Sequence, residues 1–224
     1  MIYLLYLFGF LPSIIWLLFY LRRDVHPESN KQILKVFLYG MVAAFCAIFV
    51  EMTFKEILSP KSVLYIFLGG AFVEEYLKYL VIKFEILKNS ELDEPFDLML
   101  YMIISALGFA ALENILILYK YHPFLELLKT LDITTWRFLT ATFLHTLCSG
   151  VLGYFLALSF FNLKNQKKIF LIGLFLASIL HGFYNLFIIR GDGWTLIFIL
   201  PITALFILIF CRRLKKIKGV CKIK

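Results

Sequence analysis

Apolar residues run along this chain in blocks of about twenty, broken by short clusters of charged and turn-forming residues. Seven such blocks can be read, at about 2–21, 33–54, 62–82, 97–119, 136–161, 169–189 and 194–211. Each is close to the ~20 residues with which a helix crosses a bilayer. The period-2 alternation of a transmembrane barrel is absent, and open strands in lipid would leave their edge amides without partners. The pattern predicts an all-α fold, a polytopic transmembrane helical bundle of about seven spans. The connections are too short for a soluble domain, so residues 1–211 read as one membrane domain and 212–224 as a basic tail.

Composition and charge extend this picture. With 62% hydrophobic and 17% charged residues, and a mean hydropathy of +0.87, the chain is too apolar for a soluble domain. The first block carries no Lys or Arg before it, lacks a small-residue cleavage site and is followed by Arg22 and Arg23. It reads as a retained anchor rather than a signal peptide. Sixteen Lys and Arg fall on one side of the expected spans and six on the other. The positive-inside rule then puts the N-terminus outside and the C-terminus in the cytoplasm. The net charge of +8 is mainly this topology signal: the tail after Cys211 suits anionic lipid better than nucleic acid. Cys46 and Cys148 fall in spans, while Cys211 and Cys221 lie at or beyond the reducing inner boundary, so no disulfide framework is expected. No internal repeat marks a transporter built of related halves.

The third block contains an anomaly. Glu74, Glu75 and Lys78 stand within about one helical turn in its interior, although a lone charge at the bilayer centre costs about 2.5–3.5 kcal/mol on insertion scales. Polar residues recur on other spans: Glu113 and Asn114 on the fourth, His145 and Ser149 on the fifth, His181 and Asn185 on the sixth. The last two pairs, like Glu74 and Lys78, are spaced i, i+4 and share a helix face. Counted inward at ~1.5 Å per residue, Glu113, His145 and His181 lie roughly 10–14 Å from Lys120, Arg137 and Arg190, and Glu74 about 20 Å from Lys61. Four spans can thus turn polar faces toward one point in the outer half of the membrane.

Each feature also has a structural reading: a Glu–Lys ion pair, histidines bonded between helices, and Ser149, Gly150 and Gly153 as a surface for close helix approach. Together, the groups suit hydrolysis. A desolvated carboxylate can act as a base near neutral pH, and imidazoles can orient water, stabilise an oxyanion or bind a metal. Two His and one Glu would satisfy zinc and leave a position for water. Known intramembrane protease signatures are missing. There is no His-Glu-x-x-His and no Gly-x-Ser-Gly, and Gly191-Asp192-Gly193 lies at a helix end. Cys148, three residues from His145, would permit a thiolate pair but lacks an exposed electropositive setting.

The set Glu74-Glu75-Tyr76-Leu77-Lys78, Phe109-Ala110-Ala111-Leu112-Glu113-Asn114, His145-Thr146-Leu147-Cys148-Ser149-Gly150 and His181-Gly182-Phe183-Tyr184-Asn185 resembles the four motifs of the PrsW family of intramembrane proteases, in the family's order. The family is distantly similar to CAAX-type prenyl proteases, whose first motif ends in Arg at a longer spacing than Lys78. Asp97 and Tyr101 are kept, but Leu98 and Met102 stand where the family commonly has glycine, which bears on close packing at the start of the fourth span. The resemblance implies cleavage of a membrane-anchored regulatory protein, typified by an anti-sigma factor. The depth count favours a cut near its extracytoplasmic end. Glu74 or Glu75 would be the base, with Lys78 setting the pair's protonation and position. Glu113, His145 and His181 would hold a divalent metal, Zn foremost, or activate water without one, and Asn185 would donate to the oxyanion. The expected partners are a single-span membrane substrate and the lipid bilayer, with no nucleic acid. A proton-coupled transporter would bury the same Glu, His and Lys cluster along a path. A cytochrome would use His145 and His181 as axial ligands, and a non-catalytic scaffold would tolerate loss of the glutamates.

Overall fold

A computed structural model describes residues 2–22, 27–89, 92, 94–121, 126–161 and 163–191, with single positions at 201, 205 and 209. The helices are α1 (Ile2–Leu21), α2 (Asn30–Ile57), α3 (Val73–Glu85), α4 (Pro95–Tyr121), α5 (Leu127–Arg137), α6 (Phe143–Phe161) and α7 (Gln166–Arg190). A π-helical run, Tyr65–Phe72, leads directly into α3, and another, Phe138–Thr142, joins α5 to α6. No strand occurs among the described residues.

Four helical stretches are long and apolar enough to cross a membrane: Asn30–Ile57, Pro95–Tyr121, Leu127–Phe160 and Leu163–Arg190, with a shorter apolar helix at Tyr6–Leu21. The third predicted span is helical from residue 63 to 85, but Glu74, Glu75 and Lys78 interrupt its apolar character. The predicted seventh span, 194–211, lies outside the described residues except for Pro201, Leu205 and Ile209, which are helical. Arg23, Cys211, Cys221, Asp192 and the tail 212–224 also lie outside them.

Local chemistry sets the helix ends. The Ser29 side chain caps α2 by accepting from Gln32 N. Pro95 opens α4, where its missing N–H is harmless. Gly191 closes α7 with φ 76°, a left-handed C-terminal residue.

The fifth span departs from expectation, for its helix begins at Leu127 rather than near residue 136. Lys129 and Asp132 both face outward, while Thr130 and Thr134 form the buried stripe. Arg137 is consequently inside a continuous helix and is not a boundary charge. The depth counted from it loses its reference point.

α4 is the centre of the bundle. Every residue from Pro95 to Ala111 is buried, as expected of a helix apolar on all sides, and it packs against α1, α2, α3 and α6. Close crossing of α2 and α4 depends on glycine: a Cβ at Gly40 would meet the Ser105 carbonyl, and one at Gly108 the Phe37 carbonyl. The doubt raised by Leu98 and Met102 resolves through the partner helix. Gly153 of α6 lies against the Met99 Cα, the Leu98 carbonyl and the Met102 Cβ, so the small residue stands on α6.

Candidate active site

The two π-helical runs lie immediately before the polar clusters, one ahead of Glu74 and the other ahead of His145. A π turn holds more residues than an α turn and re-aims the side chains that follow, which is why such turns recur at functional sites. The second run is anchored from α1, where Trp16 Nε1 donates to the Phe138 carbonyl at 3.0 Å.

Within α3, Glu74, Glu75 and Lys78 are all buried. Glu75, fully inaccessible, has both oxygens engaged. Its Oε1 accepts from Lys78 Nζ at 2.8 Å and from His181 Nδ1 at 2.9 Å, and its Oε2 accepts from Ser149 Oγ at 2.8 Å. Lys78 Nζ also donates to His145 Nδ1 at 2.9 Å, reaches Glu74 Oε2 at 3.5 Å, and stands 4.3 Å from the Phe109 ring centroid. A buried ammonium with this many partners is compensated for leaving water.

These partners assign the imidazole tautomers. Lys78 can only donate, so His145 Nδ1 accepts and Nε2–H donates to Glu113 Oε2 at 2.9 Å. His181 Nδ1–H donates to Glu75, leaving the Nε2 lone pair facing Glu74 Oε2 at 3.7 Å. His145 Nδ1 is 3.9 Å from the same Glu74 oxygen. Both rings therefore present an unprotonated nitrogen to Glu74, while a carboxylate fixes the opposite nitrogen.

Glu113 is half-buried and held from two sides, since Arg137 Nη2 donates to Oε2 at 3.0 Å beside the His145 contact. Arg137 Nε donates to Asn114 Oδ1, and Asn114 Nδ2 donates to Thr142 Oγ1 at 3.1 Å. The structure thus brings Glu74, Glu75, Lys78, Glu113, His145 and His181 into one connected cluster. Asn185 is apart from this network. It is half-buried on α7, with Nδ2 3.9 Å from where a Gly70 Cβ would sit.

The metal-ligand geometry falls on Glu74, His145 and His181, whose donor atoms lie within 4.8 Å of one another. Two imidazoles and a carboxylate are a zinc-type donor set, and carboxylates on the far ring nitrogens are the usual orienting partners of metal-bound histidine. Glu113 supports His145 from outside that triad. The axial-haem alternative fails on geometry: the His145 and His181 rings are 4.9 Å apart and perpendicular, leaving no room for a macrocycle between them.

Three contributors have roles that the sequence reading does not give them. Ser149 reads there as a packing residue, whereas it donates to Glu75. Arg137 looked like a boundary charge. Glu51 of α2, half-buried and near enough for the charges of Glu74 and Glu113 to act on it, was legible only as an isolated acid inside an apolar block. Cys148 is buried and free.

Comparison with known proteins agrees with this geometry. A family model described as PrsW family intramembrane metalloprotease matches residues 28–211. Protease PrsW of Bacillus subtilis is 28% identical over 218 residues, 95% of this chain and 94% of the relative. Protease PrsW of Geobacillus kaustophilus is 28% identical over 179 residues, 79% and 75% of the two chains. Protease PrsW of Oceanobacillus iheyensis is 27% identical over 212 residues, 93% of each. No solved structure matches the chain. Multiple apolar helices, a buried Glu and His cluster and a match over most of the chain converge: this protein belongs to the PrsW family of intramembrane metalloproteases.

Proposed function

We propose that this protein cleaves a single-span, membrane-anchored regulatory protein, of the anti-sigma-factor kind, near its extracytoplasmic end. The charge distribution supports an outward N-terminus and an inward C-terminus, which would set the cluster in the outer half of the bilayer. The observation that carries the reading is the gap between Glu74 Oε2 and His181 Nε2, 3.7 Å across and bordered by His145 Nδ1. The Glu74 carboxylate and the His181 Nε2 lone pair face one point there, where a water can be bound and deprotonated.

Glu74 is the base in this reading, because both Glu75 oxygens are already held by Lys78, His181 and Ser149. Water attacks the scissile carbonyl carbon as its proton passes to the Glu74 carboxylate. The tetrahedral intermediate then collapses, the C–N bond breaks, and Glu74 returns the proton to the leaving amine. Glu75 holds His181, and Glu113 holds His145, so that neither ring turns during the cycle. Lys78 provides positive charge beside the developing oxyanion, and Asn185 of α7 donates to it once substrate is seated. His145, His181 and one Glu74 oxygen would hold a divalent metal, which would supply Lewis acidity toward the carbonyl and a more acidic bound water, leaving the other Glu74 oxygen to take the proton.

The test compares the N-termini of membrane proteins in cells expressing the wild type or Glu74→Gln. New N-termini near one end of a single-span protein, present only with the wild type, are expected. A proton-coupled transporter would leave the two sets of termini identical and would instead show solute flux in proteoliposomes.

A further inference from the structure

The Lys78 ammonium stands on the metal-ligand triad itself. Nζ has three N–H donors, and three acceptors surround it: Glu75 Oε1 at 2.8 Å, His145 Nδ1 at 2.9 Å and Glu74 Oε2 at 3.5 Å. Two of those acceptors are also atoms that would bind a metal. Glu74 Oε2 and His145 Nδ1 are 3.9 Å apart. An ion ~2.0–2.2 Å from each would lie within about 1 Å of their midpoint, which is itself about 2.5 Å from Nζ, so the ion would stand no more than about 3.5 Å from the ammonium. Two cations do not share that distance, and the His145 lone pair cannot serve both.

We propose that Lys78 and a divalent metal are alternative occupants of one site, so that the Lys78 ammonium is a built-in cation that closes the Glu74, His145 and His181 donors to metal until it withdraws. The proposal rests on the reading of this cluster as the hydrolytic site. It adds a control on metal loading set by a residue of α3. Lys78 is fully inaccessible, so its charge is not exchanged with solvent ions, and the Phe109 ring 4.3 Å from Nζ gives the ammonium a partner that no metal would take from it. The site then holds one cation in either state, and metal entry requires movement of a side chain that is bonded to three acceptors.

The experiment titrates the full-length protein in detergent with Co²⁺, followed by its visible absorption bands and by calorimetry, for wild type, Lys78→Met and Lys78→Met/His181→Ala. Met keeps the length of the side chain and removes the charge. Lys78→Met is expected to bind Co²⁺ at least tenfold more tightly than wild type, with tetrahedral bands that disappear in the double variant. Equal affinity, or no binding by a folded Lys78→Met, overturns the proposal. If Lys78→Met does not fold, wild type compared with His181→Ala decides the matter. Micromolar Co²⁺ binding by wild type that is lost in His181→Ala overturns the proposal, and its absence is the expected result. Because the readout is metal binding and not cleavage, a negative result leaves the hydrolytic reading standing, to be judged by Glu74→Gln alone.

Discussion

His181 Nδ1 lies 2.9 Å from Glu75 Oε1, and this contact between α7 and α3 decides which nitrogen of the ring faces Glu74. The neighbouring glutamates thereby divide the work. Glu75 aligns the imidazole and, through Lys78 and Ser149, is itself aligned. Glu75→Gln places an amide group where two donors converge, so His181 loses its fixed orientation. The turnover rate should fall about 10- to 100-fold, the range seen when orienting carboxylates are removed. Ser149→Ala removes one hydrogen bond and should cost about tenfold, worth roughly 1–1.5 kcal/mol. Steady-state kinetics on a single-span substrate would separate this fall in kcat from a KM that stays near wild type.

Arg137 joins α5 to the same network by holding Glu113 Oε2 and Asn114 Oδ1. It is a positioning residue, acting through Glu113 on the His145 ring. Arg137→Ala should lower kcat by about 10- to 100-fold. Arg137→Lys should recover only part of this, because a point-like ammonium does not reproduce the planar fork that spans two acceptors. Full activity in Arg137→Ala would remove Glu113 and its support from the account.

The glycines separate packing from chemistry. A Cβ at Gly108 or Gly40 would strike backbone carbonyls across the α2–α4 crossing, and overpacking of this kind costs about 1–3 kcal/mol. At Gly70, by contrast, the nearest atoms are 3.9 Å away and include Asn185 Nδ2. Gly70→Ala should therefore leave the thermal midpoint in detergent near wild type while Gly108→Ala lowers it. A Gly108→Ala variant as stable as wild type would contradict the close α2–α4 contact.

Cys148 is three residues from His145 in sequence but has its thiol buried in the apolar core. A nucleophilic thiolate has no place in this site. Cys148→Ala should retain kcat/KM within about twofold, since a buried thiol of this kind behaves as a small hydrophobe. Retained sensitivity to thiol alkylation in that variant would point to another cysteine.

The helical architecture was largely legible because lipid imposes a simple rule, with apolar blocks of about twenty residues. It failed where a helix carries charges on one outward face, as at Lys129 and Asp132 of α5, since hydropathy blocks do not register an amphipathic extension. The cluster was legible because ionisable residues in apolar blocks are conspicuous. Its internal assignment was not. That Glu74 rather than Glu113 faces both imidazoles, that Ser149 bonds Glu75 and that Arg137 reaches back to α4 depend on how helices are rotated by the π turns. No spacing rule within one helix carries that rotation.

The central claim is that Glu74 moves the proton in peptide hydrolysis at this cluster. It is tested most directly in proteoliposomes holding the purified protein and the single-span substrate identified by the comparison of N-termini, with single-turnover cleavage measured for wild type and Glu74→Gln. Glu74→Gln, folded and still binding substrate, is expected to cleave at least about 1000-fold more slowly, the scale of losing a general base. Cleavage by Glu74→Gln at the wild-type rate would contradict it.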